Sequence, residues 1–585
     1  MIIKYSLTQI ALLAIFATAC TDPKNTESPV LGVSGTPVIT WEPTDHPYYT
    51  SKVPKFSFAT TLEEQEEQLK TNPLMERFRK SRQEEASHPH YPFYHFVAPE
   101  STLNDPNGFS FWNGKWHLFY QAFPPDDPRP HWGHVISDDL IHWRDLPYAI
   151  YPDPEQGSWS GSAIVEEDRV IAMYHGHMVG NMVAVSNDPL LLNWEKVTGK
   201  PVVPYTERSA DLPYDVYDPN IFKKDGMYYS LSGGVQEGPG DKQVLAAYLF
   251  RSKDLSNWEY LHQFIEDDRF TLVGDDAACP YFWPIGNQHM VIFYSHMSGG
   301  QYLLGDFDKK RDKFLTTGGG KFNFGASNPS GVHAPSATPD GEGGLLVIFN
   351  MNPGKYHGIF GGESETEGFT GWVTGWKQIM TLPRRLILIN NETLGIEPAG
   401  DIESLRYDYQ QVQSMALPAN KEVVLENIKG NAMEFIAEID PKNAPMVEIN
   451  VLRSPNREEF TRIAFFKERG MHQGRNYTRP RPENWRKSTN KSIITLESSY
   501  SSLLPDALSR PPESAPVQLD PDETLKLRVF IDRSVVEVFV NGKQCLAVRV
   551  YPSLEESVGV SLRSQGQESE LIAFDAWQMK SIYAE

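Results

Sequence analysis

An aromatic, β-rich stretch recurs five times in this chain, and the recurrence restricts the fold more than any other feature. Its copies are Trp116-His117-Leu118-Phe119-Tyr120, Val170-Ile171-Ala172-Met173-Tyr174, Met227-Tyr228-Tyr229-Ser230, Met290-Val291-Ile292-Phe293-Tyr294 and Leu345-Leu346-Val347-Ile348-Phe349, at intervals of 54, 57, 63 and 55 residues. One such unit cannot bury its apolar face alone, whereas stacked copies of blade size can, which predicts a five-bladed β-propeller. A second element recurs with it: Ser137-Asp138-Asp139-Leu140 to Trp143, Ser186-Asn187-Asp188-Pro189 to Trp194, and Ser252-Lys253-Asp254-Leu255 to Trp258. Each follows its strand at a similar interval.

After Leu382-Pro383-Arg384-Arg385 the pattern shifts to shorter alternating runs, at Met433 to Ile439, Val447 to Leu452, Arg462 to Phe466, Ile493 to Glu497, Leu525 to Ile531 and Val535 to Val540. Clusters of Pro, Asn, Asp and Gly separate them, so they read as a β-sandwich, with Asn541-Gly542 as a hairpin turn. The fold class is therefore all-β, a five-bladed β-propeller followed by a C-terminal β-sandwich. The segment from Asn390 to Gln411 reads as a partly helical linker. Thr61 to Ala86 lacks Gly and puts Leu62, Leu69, Leu74 and Phe78 roughly on one face; a helix lying on the propeller and a solvated charged helix both fit, and the charge favours the second.

The first residues, Met1 to Phe16 followed by Ala17-Thr18-Ala19-Cys20, have the basic start, short apolar run and small-residue close of a signal peptide. The run is too short for a membrane span. Ala-Thr-Ala-Cys looks like a bacterial lipoprotein cleavage box, with Cys20 lipidated and left as the mature N-terminus. The Pro-, Thr- and Ser-rich stretch that follows suits a tether. The expected organisation is a signal over residues 1–20, a linker and extension over 21–90, the propeller over 91–395, and a linker with the sandwich over 396–585. Cys279 and Cys545 fall in different predicted domains, which argues against a structural disulfide. The net charge of -22 argues against nucleic acid as a partner, because phosphate binding needs clustered Lys and Arg.

Two motifs carry the functional signal. Asn104-Asp105-Pro106-Asn107-Gly108 puts a carboxylate among residues that favour a tight turn, beside an aromatic strand. Asp532-Arg533-Ser534-Val535-Val536-Glu537-Val538-Phe539-Val540-Asn541 is the second. With His117 to Gln121, His131-Trp132-Gly133-His134, Ser137 to Trp143, Trp159-Ser160-Gly161-Ser162-Ala163 and Leu382 to Arg385, in this order and spacing, they resemble glycoside hydrolase family 32, the fructan- and sucrose-cleaving enzymes. The resemblance runs from about Tyr91 to the C-terminus. It implies a propeller opened by the first motif, a sandwich containing the second, and a fructose-containing oligo- or polysaccharide as partner. Two positions depart from the family pattern: Tyr217-Asp218-Pro219 stands for Arg-Asp-Pro, and Ala278-Cys279-Pro280 for Glu-Cys-Pro.

Cleavage of a furanoside passes through an oxocarbenium-like transition state and needs one ionised carboxylate and one protonated acid. Asp105 is the expected nucleophile, kept ionised by donors from Asn104 and Asn107. Asp218 matches the family's second carboxylate, which in relatives holds sugar hydroxyls and stabilises the transition state. Ala278 cannot transfer a proton, so Asp276, on the same face of a strand, is the expected acid and Asp275 the second choice. Sugar recognition is assigned to Asn104, Gln121, Trp132, Trp159, Ser160 and His333. The histidines His131, His134 and His142 match the family pattern with no metal, and no cofactor is expected. The leading reading is an exported retaining β-fructofuranosidase-like hydrolase, anchored by lipid to the cell envelope. A non-catalytic fructan-binding lipoprotein and a furanosidase of altered specificity, for example towards arabinofuranosides, are the competing readings; oligomeric state is left open.

Overall fold

The computed structural model describes residues 50–204, 213–355, 376–391, 393–470, 491–520 and 522–583. Cys20 and the rest of the signal and early tether lie outside these residues, as does the start of the N-terminal extension. No helix among the described residues is long and apolar enough to cross a membrane.

Among the described residues, five sheets occupy the chain from Leu103 to Pro398, and in each the opening strands pair antiparallel in sequence order. The repeated aromatic stretch is the second strand every time: Lys115–Ala122, Val170–Gly176, Met227–Gly238, Gln288–Ser295 and Leu345–Met351. These strands read as near-continuous apolar runs because both of their faces are covered, one by each neighbouring sheet. The first strands, Leu103–Trp112, Ser158–Val165, Pro219–Lys224, Ala278–Ile285 and Val332–Pro339, pack on one another in a closed circuit around the axis. That circuit is what makes the array a propeller. The second recurring element is a tight loop after the third strand of the first three sheets. In it Asp139, Asp188 or Asp254 accepts backbone N–H bonds from the residues that follow, and Leu140, Leu191 or Leu255 adopts positive φ.

Two six- and seven-stranded sheets form the sandwich, and all six strands expected from the alternation lie within them. Leu527, Val529 and Ile531 point from one sheet towards Ile449, Val451 and Ile463 of the other in a continuous core. Asn541 and Gly542 both take positive φ in the hairpin joining Val535–Val540 to Gln544–Arg549. The expected partly helical linker is mostly strand: Arg384–Asn390 and Thr393–Pro398 complete the fifth propeller sheet, a 3-10 turn covers Ile402–Leu405, and Arg406–Val412 enters the sandwich.

The expected single helix at Thr61 to Ala86 is two, Leu62–Lys70 and Pro73–Glu85. Pro73 cannot continue a preceding helix, and Asn72 caps the second by accepting from Leu74 N–H at 2.9 Å. Nor is the segment a solvated one. Leu69, Leu74, Met75 and Phe78 are buried against the first propeller sheet, and Arg82 forks onto Asp145.

The C-terminal motif joins the two halves. Asp532 accepts from the backbone N–H groups of Phe93, Tyr94 and His95, while Glu537 accepts from Leu382 N–H at 2.8 Å and from Arg384 at 2.9 Å. The His95 ring lies between the two carboxylates, Nδ1 2.9 Å from Asp532 and Nε2 3.2 Å from Glu537. Burial alone would strip its proton, but the two acceptors outweigh burial and raise its pKa. The Leu-Pro-Arg-Arg and Asp-Arg-Ser motifs are thus two sides of one buried polar latch.

Candidate active site

Asp105 does not sit on a turn. It lies within the strand Leu103–Trp112, whose register against Lys115–Ala122 slips on both sides of Pro106-Asn107. These bulges re-aim the carboxylate along the axis. Gly108 adopts φ +52, and a Cβ there would meet Phe119 at 3.1 Å and Trp132 at 3.2 Å, so the motif's glycine is required by both backbone and space.

Four side chains from other strands converge on Asp105, which is 8% exposed. Its Oδ2 accepts from Ser160 Oγ at 2.6 Å and Gln121 Nε2 at 3.0 Å, with Cys279 Sγ at 3.6 Å; its Oδ1 lies 3.2 Å from His333 Nδ1. Nδ1 also faces Asn350 Oδ1 at 3.3 Å, so it carries the hydrogen and donates to both acceptors. Burial works against ionisation here, yet His333, Ser160 and the charge of His296 outweigh it and hold the Asp105 carboxyl below its ordinary value. The donors are not the expected ones. Asn104 instead links Gln121 to Asn350, at 3.0 Å each way, and Asn107 accepts from Gly161 N–H.

Asp218 shares the Cys279 thiol with Asp105, its Oδ2 lying 3.5 Å from Sγ and 3.0 Å from Cys279 N. The two carboxyls are therefore no further apart than the two short sulfur contacts allow. Burial, and then the like charge of Asp105, push Asp218 up to about 6. The thiol is pushed well up by burial and by both carboxylates, so it stays a hydrogen-bond donor. The two departures from the family pattern also meet here. Tyr217 packs against an apolar cluster of Ala278, Cys279, Tyr294 and Ala334, so an aromatic contact occupies the place of two charged groups.

The expected acids precede the strand Ala278–Ile285, so the alternation of strand faces does not extend to them. Asp275 is fully buried and clamps its loop, accepting from Ser295 Oγ, Ser298 Oγ and Leu272 N–H. It is a structural residue, closed to substrate. Asp276 gives both oxygens to His296, accepting its backbone N–H at 2.8 Å and facing its Nδ1 at 2.7 Å.

The sugar-binding candidates divide. Gln121, Ser160 and His333 line the Asp105 site directly, Asn104 stands behind them, and half-buried Trp159 has its ring 5.8 Å from that of His177. Trp132 is 0% exposed and is corrected to a core residue: it lies under Gly108 between Phe119 and Tyr174 and donates to Trp159 O. The three histidines serve packing and local bonds. His131 meets Ser51 and Arg129 O, His134 stacks on Phe119, and His142 pairs with Asp139.

Asn350, Tyr294 and His296 were missed. The signal for them is positional: Gln121, His175 and Asn350 each directly follow a copy of the repeated strand, whose end delivers its next residues to the axis, and His296 stands one place further on.

A closed ring of sheets with a pair of carboxyls held to one thiol, one pushed down and the other up in pKa, is the equipment of a glycosidase. The profile described as Glycosyl hydrolases family 32 N-terminal domain matches residues 95–398, and that of the family 32 C terminal matches 401–578. The chain belongs to glycosyl hydrolase family 32. It is 26% identical to a levanase from Bacillus subtilis over 80% of this chain and 68% of that protein, and 26% identical to a sucrose-6-phosphate hydrolase from Escherichia coli over 80% and 90%. Among solved structures, a variant of fructan 1-exohydrolase IIa from Cichorium intybus in complex with 1-kestose superposes with a TM-score of 0.69 at 21% identity, covering 84% of this chain and 98% of that one.

Proposed function

We propose that this protein is a retaining hydrolase of β-fructofuranosidic bonds in fructans or sucrose-type substrates, exported and held at the cell envelope by a lipid on Cys20. One observation carries the catalytic reading: two carboxyls bridged by a single thiol are pushed in opposite directions, Asp105 downward and Asp218 up to about 6. Asp105 attacks the anomeric carbon, and Gln121, Ser160 and His333 keep it ionised and aimed. Asp218 holds ring hydroxyls and strengthens those bonds as charge develops. The named activities of the levanase, sucrose hydrolase and fructan exohydrolase relatives support the substrate class.

The test is incubation with sucrose, levan, inulin and arabinofuranosides, with the anomer first released read by NMR. Release of β-fructose supports a retaining fructosidase; α-fructose would refute retention, and arabinose alone would refute the substrate class. Ala278 favours one second reading, a fructan-binding protein without turnover, which predicts measurable fructan binding and no product. For the anchor, a Cys20→Ala protein that stayed as tightly membrane-bound as wild type would contradict lipidation, since stable attachment requires acyl chains on that residue.

A further inference from the structure

A histidine stands beside the site, next to the strand position that lacks the expected acid. His296 follows the strand Gln288–Ser295, in which Tyr294 pairs directly with Ala278, the position where family members carry the acid. Its ring stands edge-on to Tyr294 at 5.0 Å and to Tyr217 at 6.4 Å, beside the residue that precedes Asp218. Tyr294 in turn lies 3.8 Å from the ring of His333, which donates to Asp105. The imidazole is therefore flanked by the neighbours of both carboxyls. Asp276 clamps it through backbone N–H and Nδ1, and Nε2 has no protein partner among the described residues. The His296 side chain is 59% exposed and that of Asp276 only 13%, so the histidine is the member of the pair that meets solvent.

We propose that His296 is the proton donor of this enzyme and Asp276 its positioning residue. The proposal rests on the fructosidase reading above. As the bond from the anomeric carbon to the leaving oxygen breaks, its electron pair goes to that oxygen, which takes the proton from His296 Nε2. Asp105 bonds to the anomeric carbon in the same step. In the second step water attacks that carbon, gives its proton to the neutral Nε2, and releases Asp105. Nδ1–H stays on Asp276 throughout, fixing the tautomer in the manner of a histidine–carboxylate dyad. Several charged or titratable groups surround the imidazole: Asp276 before the fourth sheet, Asp218 from the third, Asp105 from the first, Cys279 on the facing strand and His333 from the fifth. Burial disfavours its proton, but Asp276, Asp218 and Asp105 together outweigh burial and raise its pKa.

The experiment compares wild type, His296→Ala, Asp276→Asn and Asp218→Asn on sucrose, whose leaving alkoxide needs a proton, and on p-nitrophenyl β-fructofuranoside, whose leaving group does not. His296→Ala is expected to lower kcat/KM on sucrose by about 10²–10⁴-fold and on the activated fructoside by far less. Added imidazole is expected to restore part of the loss. Asp276→Asn is expected to move the basic limb of the sucrose kcat/KM profile to lower pH, a change that a purely structural role would not produce. Equal losses of His296→Ala on both substrates, or an unmoved basic limb in Asp276→Asn, would overturn the proposal. So would leaving-group selectivity that follows Asp218→Asn instead. Wild type without activity on either fructoside at any pH would overturn the fructosidase reading itself, and the assignment of His296 with it.

Discussion

Asp105 and Asp218 differ only in their surroundings, and the surroundings decide their roles. Asp105→Asn keeps shape and removes the attacking charge, so kcat is expected to fall by roughly 10⁴-fold or more while fructan binding, measured by calorimetry, changes little. Asp218 has the opposite sign. Its folded pKa of about 6 lies above its ordinary 3.8, so folding becomes less favourable as pH rises between those values and stays so above them. Asp218→Asn is therefore expected to raise Tm at pH 7.5, by an amount worth roughly 1–3 kcal/mol, with the gain vanishing towards pH 4. A melting curve at each pH checks it. Asp105 itself was legible, because its motif is local. Its donors were not: Ser160, Cys279 and His333 lie 55, 174 and 228 residues away in sequence, and closure of the ring brings them together. Asp276 was legible as a residue, whereas its partner His296 was not, because it lies across a strand pair.

At the level of elements, the bulged strand Leu103–Trp112 shows where residue preferences mislead. Asn, Asp, Pro and Gly in succession favour a turn, and the packing of Phe109 and Leu103 in the first-sheet core draws them into a strand with two register slips instead. Gly108→Ala tests this directly. It adds a methyl against Phe119, Trp132 and Ala163 at a positive φ, and is expected to cost at least about 1–2 kcal/mol in denaturant unfolding and to displace Asp105 enough to lower kcat. The repeated strand and the sandwich strands were read correctly because their apolar patterns are long and strongly β-branched or aromatic. The two N-terminal helices were underread: charged residues cover their outer faces, and only the fold shows that Leu69, Leu74 and Phe78 meet a partner surface.

Across the whole molecule, the latch of His95, Asp532, Glu537 and Arg384 holds propeller and sandwich together, so its loss belongs to global stability. Glu537→Gln leaves the Arg384 guanidinium buried without its counter-charge and is expected to destabilise by about 3–5 kcal/mol. The pH dependence has two sides. His95, with its pKa raised, stabilises fully below its ordinary 6.5 and loses that contribution as pH rises through the raised value. Glu537 is opposed by burial but lowered by Arg384 and His95, so its contribution is present above its ordinary 4.5 and is lost as pH falls through the lowered value. His95→Ala should accordingly cost more at pH 6 than at pH 9 by thermal unfolding. With the body so held, Asp105 is expected to carry a fructosyl group during turnover. The most direct test is acid quenching of the enzyme during steady hydrolysis of p-nitrophenyl β-fructofuranoside, followed by proteolysis and mass spectrometry of the fragments. A fructosyl adduct on the fragment containing Asp105, absent from Asp105→Asn, is the predicted result; turnover with the adduct on Asp218 or another residue would contradict it.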